Sequence, residues 1–151
     1  MAVPYLELDR IRRPFDTAFQ RMCEATTPDA AEDEFSNLLG QLYRLSELGK
    51  NRLGDDVFHK RLLDSDDLRG ARAAVWARTF NVHDIVAVAS MEAVLPDYFT
   101  AMLGVLVWKP LASLPRQSDK FGRHQDYANF LEKRSVLGTT RRAFDALAAL
   151  L

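Results

Sequence analysis

The sequence holds one cysteine in 151 residues. Cys23 therefore has no partner for an internal disulfide, and the reducing cytoplasm is the compartment that suits such a chain. No apolar run reaches the roughly 20 residues that a helix needs to cross a bilayer. No charged, apolar and small-residue leader opens the chain either, so no membrane contact is expected. Glycine is sparse, with 7 residues, and none builds a nucleotide-cradling loop or a GxSxG turn. Zinc-finger spacing is missing too. His59 stands near Asp55 and Asp56, but no second histidine completes a tetrahedral set. These gaps lead to the expectation of no metal and no other cofactor. A net charge of −1 removes the overall basic footprint of a typical nucleic-acid binder.

What the chain has in quantity is apolar side chain, at 48%. A chain of this length buries roughly two-thirds of the surface its unfolded form exposes, so a single helical domain over residues 1–151 is expected without crosslinks. Charge is unevenly spread. Residues 1–67 carry 9 Lys/Arg against 14 Asp/Glu, and residues 68–151 carry 11 against 7. Arginine outnumbers lysine by 15 to 5, which follows either from a GC-rich genome or from use of the guanidinium fork on phosphate.

Apolar residues recur at helical steps through most of the sequence. After a short extended lead, a helix is expected from about residue 14. Phe15, Ala18, Phe19 and Met22 form its stripe, and Cys23 reads as an inert, buried thiol within it. Thr27, Pro28, Asp29 and Glu32 together read as a helix start, followed by Phe35, Leu38, Leu39, Leu42 and Leu45 at helical spacing. Gly49 and Gly54 loosen the pattern, and the acidic connector that follows has room for one short helix near residues 57–63. Ser65 before Asp66 and Asp67 reads as the cap of a central helix, with Leu68, Ala71, Val75, Thr79 and Val82 along one side. Beyond His83, DIVAVASMEAV suits helix or strand, whereas GVLVWKP (104–110) is strand-like and stops at a proline. Two helices close the chain, over about 118–133 and from Thr139 or Thr140 onward. The expected class is mainly α: a bundle of about five helices, with a small two-stranded β element between the central and C-terminal helices.

The segment WARTFNVHDIV (76–86) carries the chemistry. Cleaving RNA without a metal needs proton transfer at the 2′-OH and the leaving oxygen, and a fixed cation on the phosphate. Histidine suits the first task, because its pKa lies near neutrality. Arginine suits the second, because its planar fork matches phosphate oxygens. Arg78 and His83 offer both, but about one such spacing is expected by chance, and Arg52 with His59 also satisfies it. On a straight helix, five residues at about 100° leave the two side chains about 140° apart. They converge only across a kink or helix end, or with a second protomer's pair. Arg72, Trp76, Thr79 and His83, by contrast, share a face. The structural alternative for His83 is a half-buried histidine near a helix end, bonded to Thr79, Asp84 or a carbonyl.

ARTFNVHD (77–84) resembles the Arg-Asn-x-x-x-His segment of HEPN-type domains, helical folds found in many toxin and phage-defence ribonucleases that commonly act as dimers without metal. The wider order is an Arg/His segment on a helix, then strand-like VWKPLASLP (107–115), then LEKRSVLGTTRRAFDAL (131–147). It resembles a group of uncharacterised helical proteins of actinobacteria and their phages, from Leu68 onward. One position departs: Thr79 stands where active HEPN nucleases usually carry asparagine. The resemblance implies an RNA-binding homodimer with metal-independent endoribonuclease chemistry. Arg78 would meet the phosphate, His83 would handle the proton, Thr79 would orient the pair and Arg72 would add a phosphate contact.

Arg141 and Arg142 are expected in the first turn of the last helix, where they either hold an anion with the helix amides or, in Arg141's case, pair with Asp145. Arg116, Lys120, Arg123 and His124 read as a solvated basic face, and Trp76 and Trp108 as core aromatics. Two functions stay open: a HEPN-like RNA binder or nuclease, and a non-catalytic helical module of bacterial or phage origin that docks a protein partner. One accessible cleft holding both Arg78 and His83 favours the first; an apolar patch elsewhere favours the second.

Overall fold

The computed structural model describes residues 4–80, 86–89, 105–115 and 122–151. Among them lie six α-helices: α1 (Pro4–Glu24), α2 (Pro28–Leu53), α3 (Asp55–Arg61), α4 (Asp66–Ala77), α5 (Arg123–Phe130) and α6 (Val136–Ala148). Two strands, β1 (Val86–Ala89) and β2 (Val105–Trp108), stand between α4 and α5, with a 3-10 turn at Leu111–Ser113. The chain is a mainly helical bundle with the small β element where the sequence pattern implies one. No helix among the described residues is long and apolar enough to cross a membrane.

α1 starts ten residues ahead of the expected position and carries Pro14 inside it. An internal proline removes one backbone hydrogen bond and strains the preceding turn. Ile11 offsets this by extending the buried stripe upstream: Ile11, Phe15, Ala18 and Met22 follow steps of four, three and four and are all buried. Cys23 is not within that stripe. It lies one residue past Met22, about 100° around the helix, and is exposed. Local desolvation, and after it the neighbouring Glu24 carboxylate, raise its thiol pKa, so the thiolate is disfavoured.

α2 begins as its sequence signals require. The Thr27 hydroxyl accepts from the Ala30 amide at 3.2 Å, with Pro28 in the first turn. Its buried residues Phe35, Leu38, Leu39, Leu42 and Leu45 pack against α1. At the far end, Gly54 adopts φ 83°, a left-handed conformation that glycine takes without strain, and the chain reverses into α3. Phe58 of α3 is then driven onto Gly49, where a Cβ would come within 2.5 Å of the ring.

α4 is capped by Ser65, whose hydroxyl accepts from the Leu68 amide at 3.2 Å. It is buried on most sides, at Leu68, Ala71, Ala73, Ala74, Trp76 and Ala77, because it packs against α2, α5 and α6. The small alanines let those neighbours approach closely. β1 and β2 are antiparallel, with Val86 opposite Trp108 and Ala89 opposite Val105. The fully buried Trp108 donates its indole N–H to the Thr139 hydroxyl at 2.7 Å and packs edge-on to Phe35. Its backbone is tied to the α5–α6 turn by the Lys133 amide (2.8 Å) and the Arg134 carbonyl (3.1 Å).

The last two helices differ in extent from the sequence expectation. α5 covers Arg123–Phe130, and residues 116–121 lie outside the described set. α6 starts at Val136, capped by Ser135, three to four residues early. Thr139 and Thr140 are interior residues whose hydroxyls bond back to the carbonyls of Ser135 and Val136 at 2.8 and 2.7 Å. A threonine can occupy a helix interior in this way, which disguises the true start.

Candidate functional site

α4 ends at Ala77, and Arg78 follows as its C-cap. The Arg78 amide still bonds to the Ala74 carbonyl, but the Thr79 and Phe80 amides bond three residues back, to Trp76 and Ala77, each at 3.0 Å. The chain tightens into a 3-10-like turn, which sets Arg78 and Thr79 on the wall that already holds Arg72 and Trp76. The helix therefore ends just before Arg78. His83 itself lies outside the described residues.

That wall faces α2 and α3 across a solvent-open cleft of about 210 Å³. α2 contributes Tyr43, Ser46 and Lys50, α3 contributes His59 beside the buried Phe58, and Arg123 enters from the first turn of α5. Three arginines, one lysine and one histidine thus converge, and among the described residues no aspartate or glutamate lines the cleft.

The cations are held differently. Arg72 donates through Nε to Asp126 Oδ2 at 2.7 Å, with a second contact from Nη2. Both side chains are largely buried, at 15% and 8% exposure, so this pair welds α4 to α5 as well as placing charge at the cleft. Lys50 pairs with Glu47 at 2.7 Å in a partly exposed bridge of the kind that contributes little. Arg78 has no carboxylate partner among the described residues. Its guanidinium carbon lies 4.1 Å from the centre of the Tyr43 ring. The Thr79 hydroxyl donates to the Trp76 carbonyl at 2.8 Å. Trp76 is a hub rather than a platform, 9% exposed and edge-on to Phe80 and Tyr127, with the His124 ring 4.9 Å away.

Arg141 and Arg142 do not join this cleft. Because α6 starts at Val136, both fall in its second turn, beyond the unpaired amides of the helix end. Arg141 bridges to Asp16 on α1 at 2.7 Å and to Asp145 at 3.6 Å. Arg142 approaches Asp67 at 3.7 Å, on a separate polar cleft of about 270 Å³.

The helical period puts Arg72 and Thr79 on one face and the resemblance adds Arg78, but neither points to Tyr43, Lys50 or His59 as cleft residues. A signal existed: Tyr43, Ser46 and Lys50 follow steps of three and four, a polar stripe beside the apolar one on α2. His59 was weighed as a metal ligand or as a partner for Arg52. Arg52 instead reaches Glu7 on α1 at 3.3 Å, while His59 is part of the cleft lining. Comparison with protein-family models, curated proteins and solved structures finds no match to this chain.

Proposed function

We propose that the chain is a HEPN-like, cytoplasmic RNA-binding protein whose cleft at the end of α4 takes the phosphate backbone of a single strand. The reading extends to metal-independent endoribonuclease activity in a toxin or phage-defence setting, by a homodimer. One observation carries it: Arg78, Arg72, Arg123, Lys50 and His59 line a single open cleft without a carboxylate among the described lining. A net charge of −1 is no obstacle, because a local cluster sets the field at the site. The planar guanidinium of Arg78 suits a phosphate oxygen pair, and the Tyr43 ring against it helps to hold it at the cleft. Thr79 holds the turn on which Arg78 sits. His83, as the resemblance implies, would transfer the proton, and Arg72 would add charge at the rim.

Labelled single-stranded RNA incubated with the purified chain in EDTA tests this reading. Binding is expected, together with cleavage that His83→Ala abolishes. Equal cleavage by both proteins removes His83 from the chemistry; no binding at all removes the reading. The rival, a non-catalytic module that docks a protein partner, draws its support from Val57 and Leu63, which are 49% and 45% exposed around α3. It expects no RNA affinity and loss of partner binding on Val57→Asp.

A further inference from the structure

We propose that His59 is a catalytic residue of the cleft, the base that takes the 2′-OH proton when a bound RNA strand is cut. This rests on the reading of the cleft as an RNA site. A phosphodiester can be cleaved with no co-reactant if a cation grips the phosphate while a neutral imidazole removes the neighbouring hydroxyl proton. The structure brings those two groups to one cavity from independent elements, Arg78 from the end of α4 and His59 from α3.

The position of His59 is built rather than incidental. Its neighbour Phe58 is buried, at 1% exposure, and is seated against Gly49 where no Cβ fits. Gly54 supplies the left-handed turn that folds α3 back along α2. Consequently His59 is anchored by the residue before it, yet exposed. Its ring lies edge-on to Phe58, with 5.8 Å between centroids, and no carboxylate among the described residues bonds to it. It lines the same cleft as Arg78, Arg72, Arg123 and Lys50. In the step, the imidazole takes the proton of the 2′-OH, the 2′-oxygen bonds to phosphorus, and the bond to the 5′-oxygen breaks. That oxygen takes its proton from His83, the proton donor of the reading above, and the two imidazoles then return to their starting states by exchange with solvent. The products are a 2′,3′-cyclic phosphate and a 5′-hydroxyl, so atoms and electrons balance without a metal or redox partner.

The test uses the full chain, EDTA and a fluorescent single-stranded RNA of mixed sequence, with anisotropy for binding, mass spectrometry for products and thermal melts for folding. His59→Ala and His59→Arg are expected to bind RNA within about threefold of wild type and to melt alike, yet to cut at least about 100-fold more slowly. Added imidazole is expected to restore part of the His59→Ala rate and none of the His59→Arg rate. Cleavage by His59→Arg at the wild-type rate means that only charge matters and overturns the assignment. Binding by wild type without cleavage, or products lacking the cyclic phosphate, overturns it too. Absence of RNA binding by wild type overturns the cleft reading itself, a separate result.

Discussion

The Arg78 guanidinium carbon lies 4.1 Å from the centre of the Tyr43 ring, linking the end of α4 to the middle of α2. Both side chains are exposed, and a cation–π contact at such a site contributes only about 0.5–1 kcal/mol. Removing it is therefore expected to leave stability nearly intact. Tyr43→Ala should lower the melting temperature by no more than a few degrees while weakening single-stranded RNA binding severalfold, because Arg78 loses the ring that holds it, a contact worth about 0.5–1 kcal/mol. Melting curves and anisotropy titrations on the same preparation separate the two effects.

On the proposed reading, the salt dependence of RNA affinity counts the phosphates that the cleft neutralises. For single strands, log affinity falls with log salt at about −0.7 per neutralised phosphate. Three contacts, from Arg78, Arg123 and Lys50, give an expected slope near −2. Arg78→Ala should flatten it by about 0.7; an unchanged slope removes Arg78 from the phosphate contacts.

Arg72 and Asp126 are expected to behave as a structural unit. Taking away one partner leaves an uncompensated charge in a largely buried place, which costs about 3 kcal/mol. Asp126→Ala and Arg72→Ala should each lower the urea midpoint strongly, and the double variant should lose less than the two combined. Additive losses mean that the two side chains do not interact. For that reason Arg72→Ala alone is a poor probe of RNA contact.

Tyr127 makes the fold sensitive to alkali. Its phenol is fully buried and donates to the Lys109 carbonyl at 2.7 Å. Burial first, and Glu132 second, raise its pKa well above the ordinary value. In the unfolded chain the phenol ionises near pH 10. The contribution of Tyr127 is thus fully present below pH 10. Above it the unfolded state loses the proton first, and stability falls by up to about 1.4 kcal/mol per pH unit until the folded phenol also ionises. Tyr127→Phe should remove this slope between pH 10 and 12, at a cost of about 1 kcal/mol at neutral pH from the lost hydrogen bond. Denaturant midpoints across pH 8–12 check both.

Gly49 is expected to control where α3 sits. Gly49→Ala puts a Cβ against the Phe58 ring, within 2.5 Å at Cε2. Phe58 must move, at about 1–3 kcal/mol for overpacking, and His59 moves with it. Alanine also gains about 1 kcal/mol over glycine in a helix interior, so a Gly49→Ala protein about that much more stable than wild type contradicts this close approach.

Helix starts marked by side-chain chemistry were readable from sequence: Thr27 and Ser65 each accept the amide three residues on. The starts of α1 and α6 were not. Pro14 suggested a first helical position, but Ile11 had already committed the preceding turn to the core. Ser135 caps α6 behind two threonines that resemble caps and instead bond back along the helix. The β element was visible as GVLVWKP because β-branched residues stop at a proline. Of the cleft, one helix face was legible, since Arg72, Trp76 and Thr79 share a period. Its opposite wall was not, because Tyr43 and His59 reach it through the packing of α2 and α3, which depends on Gly49 and Gly54 rather than on local pattern. His83 lies outside the described residues, and its role rests on the sequence.

The most direct measurement of the central claim is the affinity of Arg78→Glu for a labelled single-stranded RNA, set beside Arg21→Glu, an equal charge change on the exposed surface of α1. The cleft account expects at least a tenfold loss for Arg78→Glu and no more than a threefold loss for Arg21→Glu, with both proteins folded. Equal losses, or none, contradict it.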